Sequence, residues 1–168
     1  MMKIVITLMV VFAIISFTVV YLYYKRCRFK FPFKDTMGEI GLPIVSFEQN
    51  GKSFNFIIDS GADASVINTT SLAKLDYIKL EGNRYVYGID GNQVKTSFVG
   101  VKLFSQNHKF IEAFQVFDIL GLDNIKKSHN IEVVGILGSS FLKRYGFLID
   151  YKQLKAYTNG KEDKIANT

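Results

Sequence analysis

The chain has 168 residues, 48% of them hydrophobic, which allows one domain of ordinary core size plus an appendage and leaves two full domains cramped. Six of its 21 basic residues and no acidic residue lie in the first 34 positions, and the other basic residues equal the 15 acidic ones in number. We therefore expect no nucleic-acid partner, because such binding needs a basic patch on the folded domain. The single Cys27 excludes an internal disulfide, and the two histidines stand far from other soft ligands, so we expect no metal and no other cofactor.

An uncharged run of 21 residues, Ile4 to Tyr24, opens the chain. As a helix it is long enough to cross about 30 Å of hydrocarbon. A cleavable signal peptide is the alternative, but the run is too long and no small-residue cleavage site follows it. We therefore predict an uncleaved transmembrane anchor over residues 1–25. The basic residues that follow the run favour a single-pass protein with its folded domain on the cytoplasmic side.

The remaining boundaries follow from composition. Residues 26–37 are basic, contain Pro32 and are interpreted as a short juxtamembrane linker. Residues 38–158 contain the strand-like runs and are predicted to form one folded domain. Residues 159–168 are polar and are predicted to be a disordered tail.

The first strand-like runs form a hairpin pattern. The dipeptide Asn50-Gly51 is a strong hairpin-turn signal, and it separates the runs Ile40 to Phe47 and Ser53 to Ile58. The second run leads into Asp59-Ser60-Gly61, which predicts a carboxylate at a strand end, on a tight turn where Gly61 takes a backbone conformation closed to other residues. Such a rigid, partly desolvated carboxylate is suited to catalysis. An ordinary strand followed by an Asp/Ser/Gly turn is the alternative.

The rest of the chain predicts short strands with little helix. A second hairpin is expected around Asp90-Gly91. Helical turns are expected at 68–75, a short helix or loop at 120–128, and further strands at 98–104, 110–117, 147–151 and 155–158.

Two segments together resemble the retropepsin-like (retroviral-type) aspartic proteases. The first is the apolar run followed by Asp59-Ser60-Gly61-Ala62-Asp63. The second is the apolar run Val133 to Leu137 with Gly138, followed by a helix-like segment from Ser139 to Tyr145. The resemblance covers about residues 38–157. It implies a mainly β fold, a single-lobe acid-protease barrel or sheet with one or two short helices.

The resemblance also implies roles for individual residues. Asp59 would be the catalytic acid, Ser60 would brace two loops across the site, and Gly61 would offer backbone groups to substrate. Ala62 and Asp63 would complete and support the loop. The loop-threading residues would be Ile136, Leu137 and Gly138. The flap over a bound peptide would consist of Tyr87, Gly88, Ile89, Asp90 and Gly91, for which a plain solvent hairpin is the alternative.

The chain departs from the family after Gly138. Viral members often carry Arg and Asn there, the Arg pairing with the acid equivalent to Asp63, whereas this chain has Ser139 and Ser140. Arg144 is a candidate substitute partner for Asp63.

Aspartic proteolysis requires two carboxylates that share one proton. The chain contains one Asp-Ser-Gly and has no room for a second lobe, so we expect a homodimer that pairs Asp59 with its copy to activate water and cleave peptide or protein substrates. A catalytically silent module that dimerises or binds peptides at the membrane is the alternative. A phosphate-binding loop at 135–140 fails on spacing and lacks the Lys-Ser/Thr pair.

Overall fold

The structure, a computed structural model, describes residues 2–26, 29–32, 41–87, 93–106 and 108–158. These residues form a mainly β protein with short helices. The helices are α1 (Met2–Arg26), α2 (Leu122–His129), α3 (Ser139–Arg144) and a 3₁₀ helix (Thr69–Lys74). The strands are β1 (Phe29–Pro32), β2 (Ile44–Gln49), β3 (Lys52–Ile58), β4 (Val66–Asn68), β5 (Tyr77–Tyr87), β6 (Gln93–Ser105), β7 (His108–Phe117), β8 (Val133–Leu137), β9 (Leu148–Asp150) and β10 (Lys155–Thr158).

The predicted hairpin at Asn50-Gly51 is confirmed. Strands β2 and β3 pair antiparallel in one register, from Ile44 opposite Ile57 to Gln49 opposite Lys52. Asn50 and Gly51 have φ values of 51° and 73°, the left-handed backbone that a two-residue hairpin turn requires. The turn residues therefore fix the register that carries β3 to the loop at Asp59.

The seven-stranded sheet has the order β2-β3-β8-β4-β7-β6-β5. An additional antiparallel contact, Glu48 opposite Phe104, joins β2 to β6. This contact closes six of the strands into a ring and leaves β5 outside it. Closure of the ring pairs the edge of β2, which would otherwise be free to pair with other chains, and leaves β5 as an edge strand.

The main core fills the ring with aromatic side chains. Phe47 lies against Phe110, with ring centroids 5.3 Å apart, and Phe141 from α3 lies 4.8 Å from Tyr145. All four side chains are almost fully buried. A smaller cluster on the other face of β3 packs Leu122 of α2 against strand residues that include Ile57. The sheet at β3 is thus covered on both faces.

The interpretation of residues 26–37 as a linker is partly wrong. Phe29–Pro32 is strand β1, which pairs antiparallel with β10 in a separate three-stranded sheet of order β1-β10-β9. Sequence composition suggested a linker because lysines and Pro32 interrupt the segment, but pairing with a distant strand overrides local preference.

Residues 2–26 form one helix of 25 residues. Within the residues that the structure describes, no helix combines the length and hydropathy that a membrane span requires. The structure thus does not support the transmembrane anchor, which stays a prediction from the sequence. The predicted disordered tail at 159–168 lies outside the described residues.

Candidate active site

Asp59 stands immediately after β3, where the sequence places it. Phe56 and Ile58 of that strand are buried in the main core, whereas Asp59 is half-buried. Its backbone N–H donates to the carbonyl oxygen of Leu137 at 3.1 Å, which continues the parallel pairing of β3 with β8. The sheet therefore fixes the main chain at the carboxylate while the side chain keeps access to solvent.

The turn after Asp59 is closed by the carboxylate itself. The N–H of Gly61 donates to Oδ1 of Asp59 at 2.8 Å, and the N–H of Ala62 donates to the carbonyl oxygen of Asp59 at 3.3 Å. A Cβ on Gly61 would lie 3.2 Å from that same Oδ1. The expectation that Gly61 needs a special backbone conformation is wrong, since it is not among the residues with positive φ. Glycine is needed here because the carboxylate approaches closely.

The junction between β8 and α3 holds the other half of the loop. The N–H of Ser139 donates to the carbonyl oxygen of Ala62 at 2.7 Å, and the N–H of Ser140 donates to that of Asp63 at 3.1 Å. The hydroxyl of Ser139 also donates to the Asp63 carbonyl oxygen, at 3.3 Å. The backbone amides at the start of α3 thus hold the loop, and the Ser139 hydroxyl adds one side-chain bond.

The loop-threading residues divide into two groups. Leu137 and Gly138 are buried beside the loop, and a Cβ on Gly138 would lie 2.5 Å from backbone atoms of Ala64. Ile136 instead packs with the smaller cluster, together with Ile57. The structure therefore brings Leu137 and Gly138 to the loop and places Ile136 on the face of the sheet that Ile57 shares.

A buried carboxylate, Glu112, lies behind the loop and was not anticipated. Its Oε1 accepts the hydroxyl of Ser65 at 2.9 Å, and its Oε2 accepts Nη1 of Arg144 at 3.0 Å. The suggested pairing of Arg144 with Asp63 is therefore wrong, because Glu112 takes the guanidinium. One signal in the sequence marks Glu112: it alternates with Phe110 and Phe114, so it occupies a core-facing position of β7.

The expected flap lies mostly outside the described residues. The pairing of β5 with β6 extends to Tyr87 opposite Gln93, which confirms a hairpin at this point. Tyr87 ends β5, while Gly88, Ile89, Asp90 and Gly91 are not among the described residues. In the part of the chain that the structure describes, no three His, Cys, Asp or Glu side chains converge as metal ligands would.

Two comparisons with known proteins, one against family models and one against solved structures, find matches. A family model described as aspartyl protease matches residues 45–141, which is more than half of the chain. Among solved structures, the EIAV protease complexed with the inhibitor HBY-793 matches with 26% identity and a TM-score of 0.45, over 61% of this chain and 86% of that one. No curated protein matches.

Proposed function

The chain belongs to the aspartyl protease family and is an aspartic endopeptidase by class, and we propose that it works as a homodimer in which Asp59 and its copy form one catalytic dyad. The observation that carries the proposal is the loop at Asp59, whose main chain is held by backbone bonds from Leu137 and Ser139 while the carboxylate remains half-exposed. The chain supplies one such loop, so the second carboxylate must come from another copy.

The chemistry follows from two carboxylates at short distance. Like charges there do not both ionise at low cost, so one carboxyl keeps its proton and the other is ionised. The ionised carboxylate takes a proton from the attacking water, and the protonated one donates to the carbonyl oxygen of the peptide bond. The bond from Gly61 N–H to Asp59 Oδ1 fixes the orientation of the carboxylate.

The substrate class is a peptide segment in an extended conformation. The long β5–β6 hairpin, paired up to Tyr87 and Gln93, supports a covering arm over such a segment. An extended peptide gains affinity from main-chain hydrogen bonds and selectivity from pockets for alternate side chains.

The test is cleavage of a mixed peptide library from about pH 4 to 7, the range in which a raised carboxyl pKa acts. Wild-type protein is compared with Asp59→Asn, which keeps the shape of the side chain and removes its acid–base function. We expect cleavage that is lost in the variant and rises with the dimer fraction. A folded, dimeric wild-type protein that cleaves nothing would contradict hydrolysis and favour a silent peptide-binding or dimerisation module.

Membrane attachment is a separate part of the proposal. Its support is the uncharged run from Ile4 to Tyr24 and the large apolar side chains that α1 exposes, among them Met9, Phe12 and Phe17 at 70% or more. A helix that is apolar all round needs a nonpolar environment. We propose a single-pass protein with the catalytic domain on the cytoplasmic side, as the basic residues after the run favour.

Two measurements on cells that express the chain test this part. Resistance to alkaline carbonate extraction should be lost in Ile14→Arg, since a charge at the centre of a span costs about 2.5–3.5 kcal/mol. An impermeant maleimide should label Cys27 only after permeabilisation. Extraction of the wild-type chain by carbonate would contradict the membrane anchor. Labelling of Cys27 in intact cells would contradict the cytoplasmic orientation.

A further inference from the structure

Glu112 is a buried carboxylate that the proposed chemistry does not use. Its side chain is only 3% exposed, and it lies on β7 between Phe110 and Phe114, whose side chains belong to the main core. Placing a carboxylate in such surroundings is unfavourable unless partners surround its oxygens. The contacts of Glu112 must therefore offset the cost of burying its carboxylate.

The hydroxyl of Ser65 makes the first of these contacts. Ser65 is fully buried, its Oγ accepts the N–H of Gly138 at 3.1 Å, and the same Oγ lies 2.9 Å from Oε1 of Glu112. Because the amide of Gly138 must donate and an ionised carboxylate must accept, the hydroxyl proton points to Glu112. The two hydrogen bonds therefore run in one direction: the Gly138 N–H donates to the Ser65 hydroxyl, and that hydroxyl donates to Glu112. Consecutive hydrogen bonds of this kind strengthen one another.

Arg144 completes the cluster from the far end of α3. Its Nη1 donates to Oε2 of Glu112 and, at 3.2 Å, to the carbonyl oxygen of Ile111. The hydroxyl of Tyr145, the next residue, bonds both the N–H and the carbonyl oxygen of Ile111 at 2.8 and 2.9 Å. The segment from Gly138 to Arg144, which hydrogen-bonds to the catalytic loop, is therefore bonded to β7 at both ends. Gly138 reaches Glu112 of β7 through Ser65, and Arg144 bonds Glu112 directly.

We infer that Glu112 is a positioning residue for the catalytic loop. Through the Ser65 hydroxyl it fixes the end of that loop against Gly138, next to the backbone bonds that hold Asp59 and Ala62. Since the two carboxylates of a dyad must meet with an accuracy well below 1 Å, a loop that is free to shift would lower turnover more than binding. This inference rests on the proposed role of Asp59.

Three single variants of the full chain test the inference. Glu112→Gln keeps the size of the side chain but removes the charge that orients Ser65. Ser65→Ala removes the bridging hydroxyl. Glu132→Gln is the matched control, because Glu132 is an exposed carboxylate whose ion pairs, to Lys74 and Lys126, lie outside the loop.

We expect Glu112→Gln and Ser65→Ala each to lower kcat by roughly tenfold or more while KM changes little, since the loss is one of alignment in the transition state. The loss in the double variant should be smaller than the product of the two single losses, because part of the effect of Glu112 passes through that hydroxyl. Glu132→Gln should keep wild-type kinetics. Unchanged kcat in Glu112→Gln, or losses that multiply in the double variant, would overturn the inference.

Amide hydrogen exchange gives a readout that does not need activity. The N–H groups of Gly138 and Ser139 should exchange faster in Glu112→Gln and in Ser65→Ala than in the Glu132→Gln control. The comparison is made under conditions in which the three proteins have the same global stability. A wild-type chain that cleaves nothing would contradict the proposed function. Amide exchange would then be the one measurement that decides whether Glu112 holds the loop in place. If these amides exchange at the control rate in both variants, Glu112 does not position the loop.

Discussion

At Gly138 the catalytic loop and the β8–α3 junction touch through their backbones. A Cβ built there lies 2.5 Å from both the carbonyl carbon and oxygen of Ala64 and 2.9 Å from the carbonyl oxygen of Ala62. Backbone atoms in a hydrogen-bonded loop do not move aside as a side-chain end does. The absence of a side chain at Gly138 is therefore what lets the Ser139 and Ser140 amides reach the loop.

Replacing Gly138 by alanine should separate these two segments. We expect Gly138→Ala to lower the free energy of unfolding by about 1–3 kcal/mol, the usual cost of overpacking, and to reduce turnover further because the loop at Asp59 shifts. Denaturant unfolding and peptide cleavage measure the two effects.

Gly100 provides a matched control within the same sheet. A Cβ at Gly100 would meet Cγ1 of Ile78 at 3.0 Å, but Ile78 is 63% exposed and its side chain can turn away. Gly100→Ala should therefore change stability little. Equal losses in the two variants would show that the close backbone contact at Gly138 is not the cause.

Residues near Asp59 were predictable to the extent that their chemistry is local. The order of apolar run, acid, hydroxyl and glycine identified the loop, because a strand end and a tight turn involve neighbours in sequence. The partner of Ser65 was not predictable in the same way, since Glu112 lies 47 positions away and only the strand pairing brings the two together. Its place among alternating phenylalanines was the available signal.

Among the elements, α3 shows how packing creates a helix that its sequence alone would not hold. It has six residues, fewer than an isolated helix needs to be stable in water. Phe141 is fully buried and contacts rings from several elements, including Phe47 at 6.0 Å and Phe147 at 5.5 Å. Phe141, together with the buried Leu142, therefore anchors the helix whose first amides hold the loop.

Phe141→Ala should cost about 3–5 kcal/mol, because it leaves a large cavity among aromatic rings that cannot collapse into it. Chemical denaturation measures the loss. Lys143→Ala, an exposed position on the same helix, should change stability by no more than about 0.5 kcal/mol. A small effect of Phe141→Ala would mean that α3 is held mainly by its backbone contacts with the loop.

An ion cluster connects the 3₁₀ helix, α2 and the start of β8. Lys126 and Lys74 both donate to Oε1 of Glu132, at 2.7 and 2.6 Å. The hydrogen bond from Lys126, followed by that from Lys74, holds the pKa of the Glu132 carboxyl below its ordinary value. The same bond to Glu132 raises the pKa of Lys126.

The sign of the pH dependence follows from the lowered carboxyl pKa. Glu132 contributes stability above its unfolded pKa of about 4.3, and the contribution is lost as the pH falls through the lower folded value. Glu132→Gln should lower the unfolding temperature slightly at pH 7, since all three side chains are about half exposed. The difference from wild type should shrink as the pH falls below the unfolded pKa of about 4.3. A difference that stays constant through that fall in pH would contradict the ionic origin.

For the whole molecule, the sequence predicted most strands and the two hairpin pairings, but not the rest of the strand order. Apolar runs and turn dipeptides locate β2, β3, β7 and β10, because strand patterning and hairpin turns are local properties. The parallel pairing of β3 with β8 and the ring closure between Glu48 and Phe104 join residues far apart in sequence, for which no local pattern exists. The strand Phe29–Pro32 was missed for the same reason, as its partner β10 lies at the other end of the chain.

Homodimerisation makes a quantitative prediction for mixtures of wild-type chains and Asp59→Asn chains. If each active site needs one Asp59 from each of two copies, a mixed dimer has a single carboxylic acid and cannot share a proton between two. In an equimolar mixture with free exchange of subunits, half of the wild-type chains would be held in mixed dimers. Cleavage per wild-type chain should therefore fall to about half of its value without the variant.

The matching control replaces the variant by Lys143→Ala chains, whose substitution is exposed on α3 and distant in sequence from the loop. Mixed dimers with this variant keep both aspartates, so activity per chain should not change. Monomers that were active alone would leave cleavage per wild-type chain constant in both mixtures. A fall with Asp59→Asn alone requires that one aspartate from each copy meet at a shared site, which links the half-exposed carboxylate at the end of β3 to the assembly of the whole enzyme.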